Sequence, residues 1–283
     1  MTDSPTTREA ELIDHAAAPQ TQTSLAADLR ALGIQPGETL LVHSSLSALG
    51  WVVGGEVAVV GALLDALGPD GTLVVPAQSG SNSDPAGWSS PPVPPEWWPV
   101  IRANMPPYHP ASTPTRGMGR IPDTVRTWQG AVRSPHPQVS FAAVGAGAAA
   151  LMARHDLDCR FGPRSPLPAL ETAGARVLLL GAGFDSCTCL HLAETRIPGA
   201  PTQEESCAVA GSDGRQQWVT YSDVVSDEGD FPELGAAFVA TGGVRTGPVG
   251  AATAQLFPLA DVVAFGVDWL PKNRGGEWSG GAS

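Results

Sequence analysis

Val177-Leu178-Leu179-Leu180 is a run of branched apolar residues that leads directly into Gly181-Ala182-Gly183-Phe184-Asp185-Ser186 and then Cys187-Thr188-Cys189-Leu190-His191-Leu192-Ala193-Glu194. A run with no polar alternation suits a strand covered on both faces, and the Gly-X-Gly after it suits a tight turn into a helix. Asp185 or Ser186 is placed to cap that helix, which would carry His191 two turns in. An α/β protein puts its chemistry at such junctions, beyond the carboxyl ends of its strands. On a helix, positions three and four apart share a face, so His191 is expected between Cys187 and Glu194. A carboxylate beside an imidazole fixes one tautomer and stabilises the imidazolium, which is what a general base needs. A packed or solvated His–acid pair is the plainer reading of the same spacing.

The chain around this segment has 283 residues and 42% hydrophobic content, enough to bury a sizeable core. Leu25, Leu29 and Leu32 form a helical stripe that stops at Gly33. Thr39 to His43 reads as a strand, Glu56 to Leu67 as a second helix and Thr72 to Pro76 as a second strand. This alternation predicts an α/β fold with a largely parallel or mixed sheet flanked by helices. Between Ser79 and Thr115 the composition shifts to Pro, Ser and Trp without periodicity, which predicts a long insertion beside a cleft. Further helices are expected near Gly119–Thr127 and Ala146–Arg154 and strands near Ser140–Val144 and Trp218–Tyr221; an acid-rich loop is expected from Asp223 to Glu233. Helix and strand return, in that order, at Ala251–Phe257 and Val262–Phe265. The expected organisation is a single domain over residues 23–272 between a frayed tail, 1–22, and a flexible one, 273–283.

The net charge is −12, and Lys272 is the one lysine among 16 basic residues. That balance disfavours nucleic acid or an anionic membrane as partner and suits a cationic one. No apolar run reaches the length of a membrane span and no basic n-region opens the chain, so a cytoplasmic location is expected. Cys159, Cys187, Cys189 and Cys207 are too sparse for a disulfide scaffold. Cys187, Cys189 and His191 would share a face only on a strand; the helical reading therefore leaves no metal site. A Cys or Ser hydrolase remains an alternative, although no Gly-X-Ser-X-Gly elbow is present.

After the first strand, His43-Ser44-Ser45-Leu46-Ser47 leads through Val53-Gly54-Gly55 into a helix, and backbone N–H groups at such a start can hold phosphate or an oxyanion. Together with Pro114-Thr115-Arg116-Gly117-Met118-Gly119-Arg120-Ile121-Pro122, Arg133-Ser134-Pro135-His136-Pro137, Phe161-Gly162-Pro163-Arg164-Ser165-Pro166 and the Gly181–Glu194 segment, this set resembles the aminoglycoside 3-N-acetyltransferases, in order from about Leu25 to Leu270. Phe184 stands where many members have a polar residue. The resemblance implies an acetyltransferase that moves an acetyl group from acetyl-coenzyme A to the 3-amino group of the 2-deoxystreptamine ring of an aminoglycoside antibiotic, on a fold distinct from the GNAT enzymes. It maps the catalytic histidine onto His191 and an acidic position of the same turn onto Asp185, while helical spacing adds Glu194 as the other catalytic acid beside the imidazole. It implies that coenzyme A meets His43, Ser44, Ser45, Leu46, Ser47, Val53 and Gly54 in the first turn, and Thr113, Thr115, Arg116, Met118, Gly119 and Ile121 in the second segment. Asp84, Trp88, Asp185, Glu194, Asp223, Glu228 and Asp230 are expected to face the drug. His15, His43, His109, His136 and His155 are expected to be structural or solvated, with His43 and His136 the likeliest of them to line the cleft, and a homodimer is an open expectation.

Overall fold

The computed structural model of the protein describes residues 5–14 and 18–274. The outer parts of the expected tails, 1–4 and 275–283, and His15 lie outside the described residues. Helix α1 (Pro5–Asp14) occupies part of the segment expected to fray, and Gln20 bridges to Val52. Helix α2 (Gln22–Leu32) starts at a capping box in which the Thr21 and Ser24 side chains each satisfy the other's backbone N–H, and it stops at Gly33, whose φ is +106°. Strand β1 (Thr39–Ser44), helix α3 (Gly55–Leu67) and strand β2 (Thr72–Pro76) come next, as the periodicity implies.

The Pro/Trp-rich segment is not wholly irregular. It contains 3-10 turns at Pro85–Gly87 and Pro95–Trp97 and helix α4 (Trp98–Asn104). Helix α5 (Arg120–Thr127), strand β3 (Val132–Arg133), strand β4 (Phe141–Gly145), helix α6 (Ala148–Met152) and helix α7 (Pro166–Thr172) lead to strand β5 (Arg176–Leu180). Beyond it come α8 (Leu190–Thr195), strands β6 (Thr202–Ala210) and β7 (Gln216–Val224), and helix α9 (Phe231–Val239). Strands β8 (Arg245–Val249) and β9 (Ala252–Pro258) precede the final helix α10 (Leu259–Asn273). The last two elements reverse the expected order: Ala252–Pro258 is strand because its residues alternate buried and less buried. Leu259, Val262, Val263, Gly266 and Leu270 repeat at helical spacing and are buried together.

Seven strands form one sheet in the order β3-β4-β2-β1-β5-β9-β8, and β6 and β7 pair separately as a hairpin. The pairings of β1 with β2 and with β5 are parallel, whereas β2–β4, β4–β3, β5–β9 and β9–β8 are antiparallel. The sheet is therefore mixed rather than largely parallel. Alternation along its central strands sorts the core into two layers. Leu40, Val42, Leu178 and Leu180 pack with α2, α3 and α5, whereas Leu41, Val177, Leu179 and Phe257 pack with α6 to α10. Val177 to Leu180 are at most 1% exposed, as a strand covered on both faces requires.

The β6–β7 hairpin lies over the insertion. Asn82 donates to the Ala208 carbonyl at 2.9 Å and accepts from its N–H at 2.8 Å, and Gln216 donates to the Arg102 carbonyl at 2.9 Å. Arg133 fixes the insertion's two ends, donating to carbonyls of Ala77, Pro110 and Thr113.

Candidate active site

Strand β1 ends at the centre of the sheet, with His43 in register with Leu179 and Ser44 with Leu180. Period-two alternation sends His43 to the same layer as Leu41, the side of α8, and Ser44 to the side of α3. The two strand ends are held together beyond the sheet. Ser45 N donates to Leu180 O at 3.0 Å, and Gly181 turns at φ +65°, where a Cβ would lie 2.5 Å from the Ala48 Cβ. The Ser45 N–H is thus committed to β5 and is not a spare donor for an oxyanion.

Helix α8 does not start at Asp185 or Ser186. Phe184–Ser186 form a 3-10 turn, a second turn comes after it, and the helix opens at Leu190, so His191 sits in its first turn. Cys187 consequently precedes the helix and shares no face with His191. Its Sγ lies 3.5 Å from Cys189 Sγ, both side chains are fully buried, and the Cys189 thiol pKa is raised by the hydrogen bond to Cys187 and by burial. The thiol needed by the hydrolase reading is therefore shut away. Among the described residues, no group of three or more His, Cys, Asp or Glu side chains is arranged to hold a metal ion.

The i, i+3 spacing does bring His191 onto Glu194: Nδ1 and Oε2 are 2.7 Å apart. Glu194 is 1% exposed, and a buried carboxylate persists as an anion only if its lone pairs are occupied. Its Oε1 accepts from Arg274 Nη1 at 2.5 Å and from the Asp227 N–H at 3.1 Å. An ionised Glu194 can only accept, so Nδ1 carries the imidazole proton and Nε2 keeps a lone pair. The ring itself is clamped, stacked on Phe161 at 4.6 Å between centroids and tilted against Phe231 at 5.0 Å.

His191 lines a cavity of about 320 Å³ together with His43, Asp185, Ser186, Thr188 and Glu228. Ser44, Gly117 and Met118 also line it, and these three form part of the wall of a larger cavity of about 600 Å³ on the α3 side. That larger cavity is walled by Ser45, Leu46, Ser47, Gly119 and Ile121 from the expected coenzyme A set, by Arg120 of the same second motif, and by Glu9, Leu12, Trp51 and Val52, which no sequence pattern marked for it. Burial, and secondarily the nearby His191, pulls the His43 pKa down to about 3, so its imidazole is neutral. His43 Nε2 and Ser44 Oγ have no hydrogen-bond partner. Unsatisfied buried polar atoms at the junction of two cavities are where a polar ligand would restore the missing bonds.

Other expected site residues lie elsewhere. Thr115 lines a shallower neighbouring cavity with Asp123. Val53, Gly54, Thr113 and Arg116 line none of these cavities. Val53 is 47% exposed; Gly54 serves as the left-handed N-cap of α3; Thr113 and Arg116 bond within the insertion, to His109 N and to Gln78 and Ser90 carbonyls. Asp84 is held by Arg102 at 2.7 and 3.0 Å, Trp88 bonds Ser83 Oγ at 2.9 Å, and neither reaches the His191 cavity. Asp223 belongs to β7 rather than a loop, and accepts from the Arg160 N–H at 2.5 Å. Asp230 pairs with Arg274 at 2.6 Å, and Glu194 stands behind His191 instead of facing the cavity. His136 and His155 are buried with rings 4.6 Å apart, as a structural role requires. Arg274 was missed because it lies just past the last periodic helix, where sequence offers no pattern.

A sequence profile of the family described as aminoglycoside 3-N-acetyltransferase matches residues 41–271. The chain belongs to the aminoglycoside 3-N-acetyltransferase family. It is accordingly an acetyltransferase, and its relatives match it nearly end to end. Aminoglycoside N(3)-acetyltransferase VIII of Streptomyces fradiae is 43% identical over 97% of this chain and 99% of its own. The crystal structure of the YokD protein from Bacillus subtilis superposes with a TM-score of 0.91 at 42% identity, covering 93% of this chain and 98% of that one. A structure described as AAC-IIIb binary with CoASH gives a TM-score of 0.79 at 36% identity over 90% of this chain and 97% of that one. No described helix is long and apolar enough to cross a membrane.

Proposed function

We propose that this acetyltransferase moves the acetyl group of acetyl-coenzyme A to the 3-amino group of the 2-deoxystreptamine ring of aminoglycoside antibiotics in the cytoplasm, and so confers resistance to them. The observation that carries the reading is the His191–Glu194 pair at the wall of a cavity that also presents Asp185 and Glu228 and shares Ser44, Gly117 and Met118 with a second, larger one. Acetyl-coenzyme A supplies a thioester carbonyl for an amine to attack. An ammonium cannot attack, so the substrate must first lose a proton, and His191 Nε2 is the lone pair available for it. Glu194 stabilises the imidazolium that results, as an ionised partner at hydrogen-bond distance does. Asp185 and Glu228 hold the drug's ammonium groups against the base, and the protein's net charge of −12 draws polycations to the cleft. The larger cavity fits the coenzyme's arm, with apolar Leu46, Val52 and Met118 beside the serines of the first turn. Ser44, which lines both cavities and whose Oγ has no hydrogen-bond partner, is the candidate donor toward the reacting carbonyl.

A thiol-release assay with acetyl-coenzyme A and a panel of aminoglycosides tests this. Thiol release with at least one of them, lost by about 100- to 10,000-fold in a folded His191→Ala variant, is the expected result. Thiol release with other amines only would refute the drug as substrate. Parent-like turnover of His191→Ala would refute the base.

A further inference from the structure

Arg274 lies just past the last turn of α10 and is 8% exposed. Helix α10 lies close on α8 because Gly266 leaves room; a Cβ there would sit 2.9 Å from the Ala193 Cβ. From that position the guanidinium reaches two places at once. Nη1 donates to Glu194 Oε1 at 2.5 Å, while Nε and Nη2 donate to Asp230 at 2.7 and 2.6 Å, and Nη2 also reaches the Asp227 carbonyl. Its charge lies 5.7 Å from the centre of the Phe231 ring, and the same ring packs on His191. Glu228, which lines the His191 cavity, lies between Asp227 and Asp230 and is carried by the loop that Arg274 holds.

We infer that Arg274 is a positioning residue for acetyl transfer, which sets the basicity of His191 through Glu194 and, by the same guanidinium, the placement of the Asp227–Asp230 loop against the substrate. The inference rests on the reading of His191 as the base. A guanidinium on Oε1 draws charge away from Oε2, so Glu194 stabilises the imidazolium less than it would alone; removing Arg274 therefore makes the imidazole more basic. The other titratable groups around His191 are His43 from β1, which is neutral, Asp185 from the turn before α8, Glu228 from the loop, and Asp230 acting through Arg274. A planar fork with five donors serves two carboxylates and a carbonyl together, which a lysine's single ammonium cannot do.

The test compares Arg274→Met, Arg274→Lys and Asp230→Asn in kcat and KM profiles over pH, alongside thermal melts. The substrate amine titrates in every variant, so differences between profiles report the enzyme. Arg274→Met is expected to move the acid limb of kcat upward by about half to one pH unit, to lower the plateau about ten-fold, and to raise KM for the drug but not for acetyl-coenzyme A. Arg274→Lys should show the same limb shift, smaller. Asp230→Asn leaves the Arg274–Glu194 bond in place, so it should raise the drug KM with the limb unmoved. A folded Arg274→Met with a lower melting temperature but the parent's limb and KM overturns the inference. Should Arg274→Met fail to fold, a parent-like limb in Arg274→Lys together with a parent-like KM in Asp230→Asn overturns it equally. A dead His191→Ala with those outcomes leaves the base assignment standing, whereas an active His191→Ala removes the base itself.

Discussion

Replacing Glu194 by Gln changes one atom and one charge, and the hydrogen bonds around it dictate the outcome. The Oε1 site receives two donors, Arg274 Nη1 at 2.5 Å and the Asp227 N–H at 3.1 Å, so the amide oxygen of the new glutamine must occupy it. The amide nitrogen then takes the Oε2 site, 2.7 Å from His191 Nδ1, and donates where the carboxylate had accepted. Nδ1 must give up its proton to receive that bond, and the proton moves to Nε2, the atom that has to be basic. Flipping the amide restores the tautomer but sets its NH2 against two donors, at about 1–3 kcal/mol for each lost bond. A comparable inversion of tautomer in a serine protease triad costs about 10,000-fold in kcat, and the expected loss here is about 1,000- to 10,000-fold, or about 4–5.5 kcal/mol of barrier. Stopped-flow thiol release under saturating substrates measures it. Nitrogen-15 NMR of the ring, expected to show the proton on Nδ1 in the parent and on Nε2 in the variant, identifies the cause. Glu194→Gln within about five-fold of the parent, with a native melting curve, would refute the assignment of Glu194 as the orienting acid.

Glu228 faces the cavity and Asp223 does not, so their neutral variants should separate: Glu228→Gln raises the drug KM about two- to five-fold and flattens its salt dependence. Asp223→Asn, which weakens the Arg160 anchor, costs about 1–3 kcal/mol in urea unfolding and leaves KM unchanged. Stability should also fall below neutral pH, because burial holds the His43 pKa down to about 3, the His155 pKa to about 4 and the His136 pKa well below 6.5. The unfolded chain takes up these protons near pH 6.5 and the folded chain does not; the stabilisation is complete above that pH and is lost below it by about 1.4 kcal/mol per unit for each histidine, so a urea midpoint at pH 5 equal to that at pH 7.5 would contradict it.

Where local periodicity decides structure, sequence reading succeeded: α2, β1, α3, β2 and β5 fall within a residue or two of their expected bounds. It failed where a turn competes with a helix. The apolar and polar spacing of Asp185 to Glu194 fits a helix throughout, but Phe184 is drawn into the core against Phe257, centroids 5.3 Å apart. That packing bends the chain into a 3-10 turn and delays α8 to Leu190. Of the two expected forms of the sheet, parallel or mixed, the mixed one is realised: the early helix–strand alternation sets the parallel pairings of β1 with β2 and β5, and the remaining strands are laid down by connections that sequence does not encode locally.

The expected acidic wall shows a different limit. Acids near one another in sequence looked like a single surface for a cation, yet each answers to whichever base tertiary packing brings to it. Arg160 takes Asp223, Arg102 takes Asp84 and Arg274 takes Asp230, leaving Asp185 and Glu228 of that set to line the cavity. Pairing depends on long-range contacts such as Arg274 with Glu194, 80 positions apart, and no window along the chain contains them. The same contacts explain why the His191–Glu194 pair was legible. Its i, i+3 spacing lies within one helical turn, so its geometry needs no partner from elsewhere, whereas its charge balance needs an arginine from the far end of the domain.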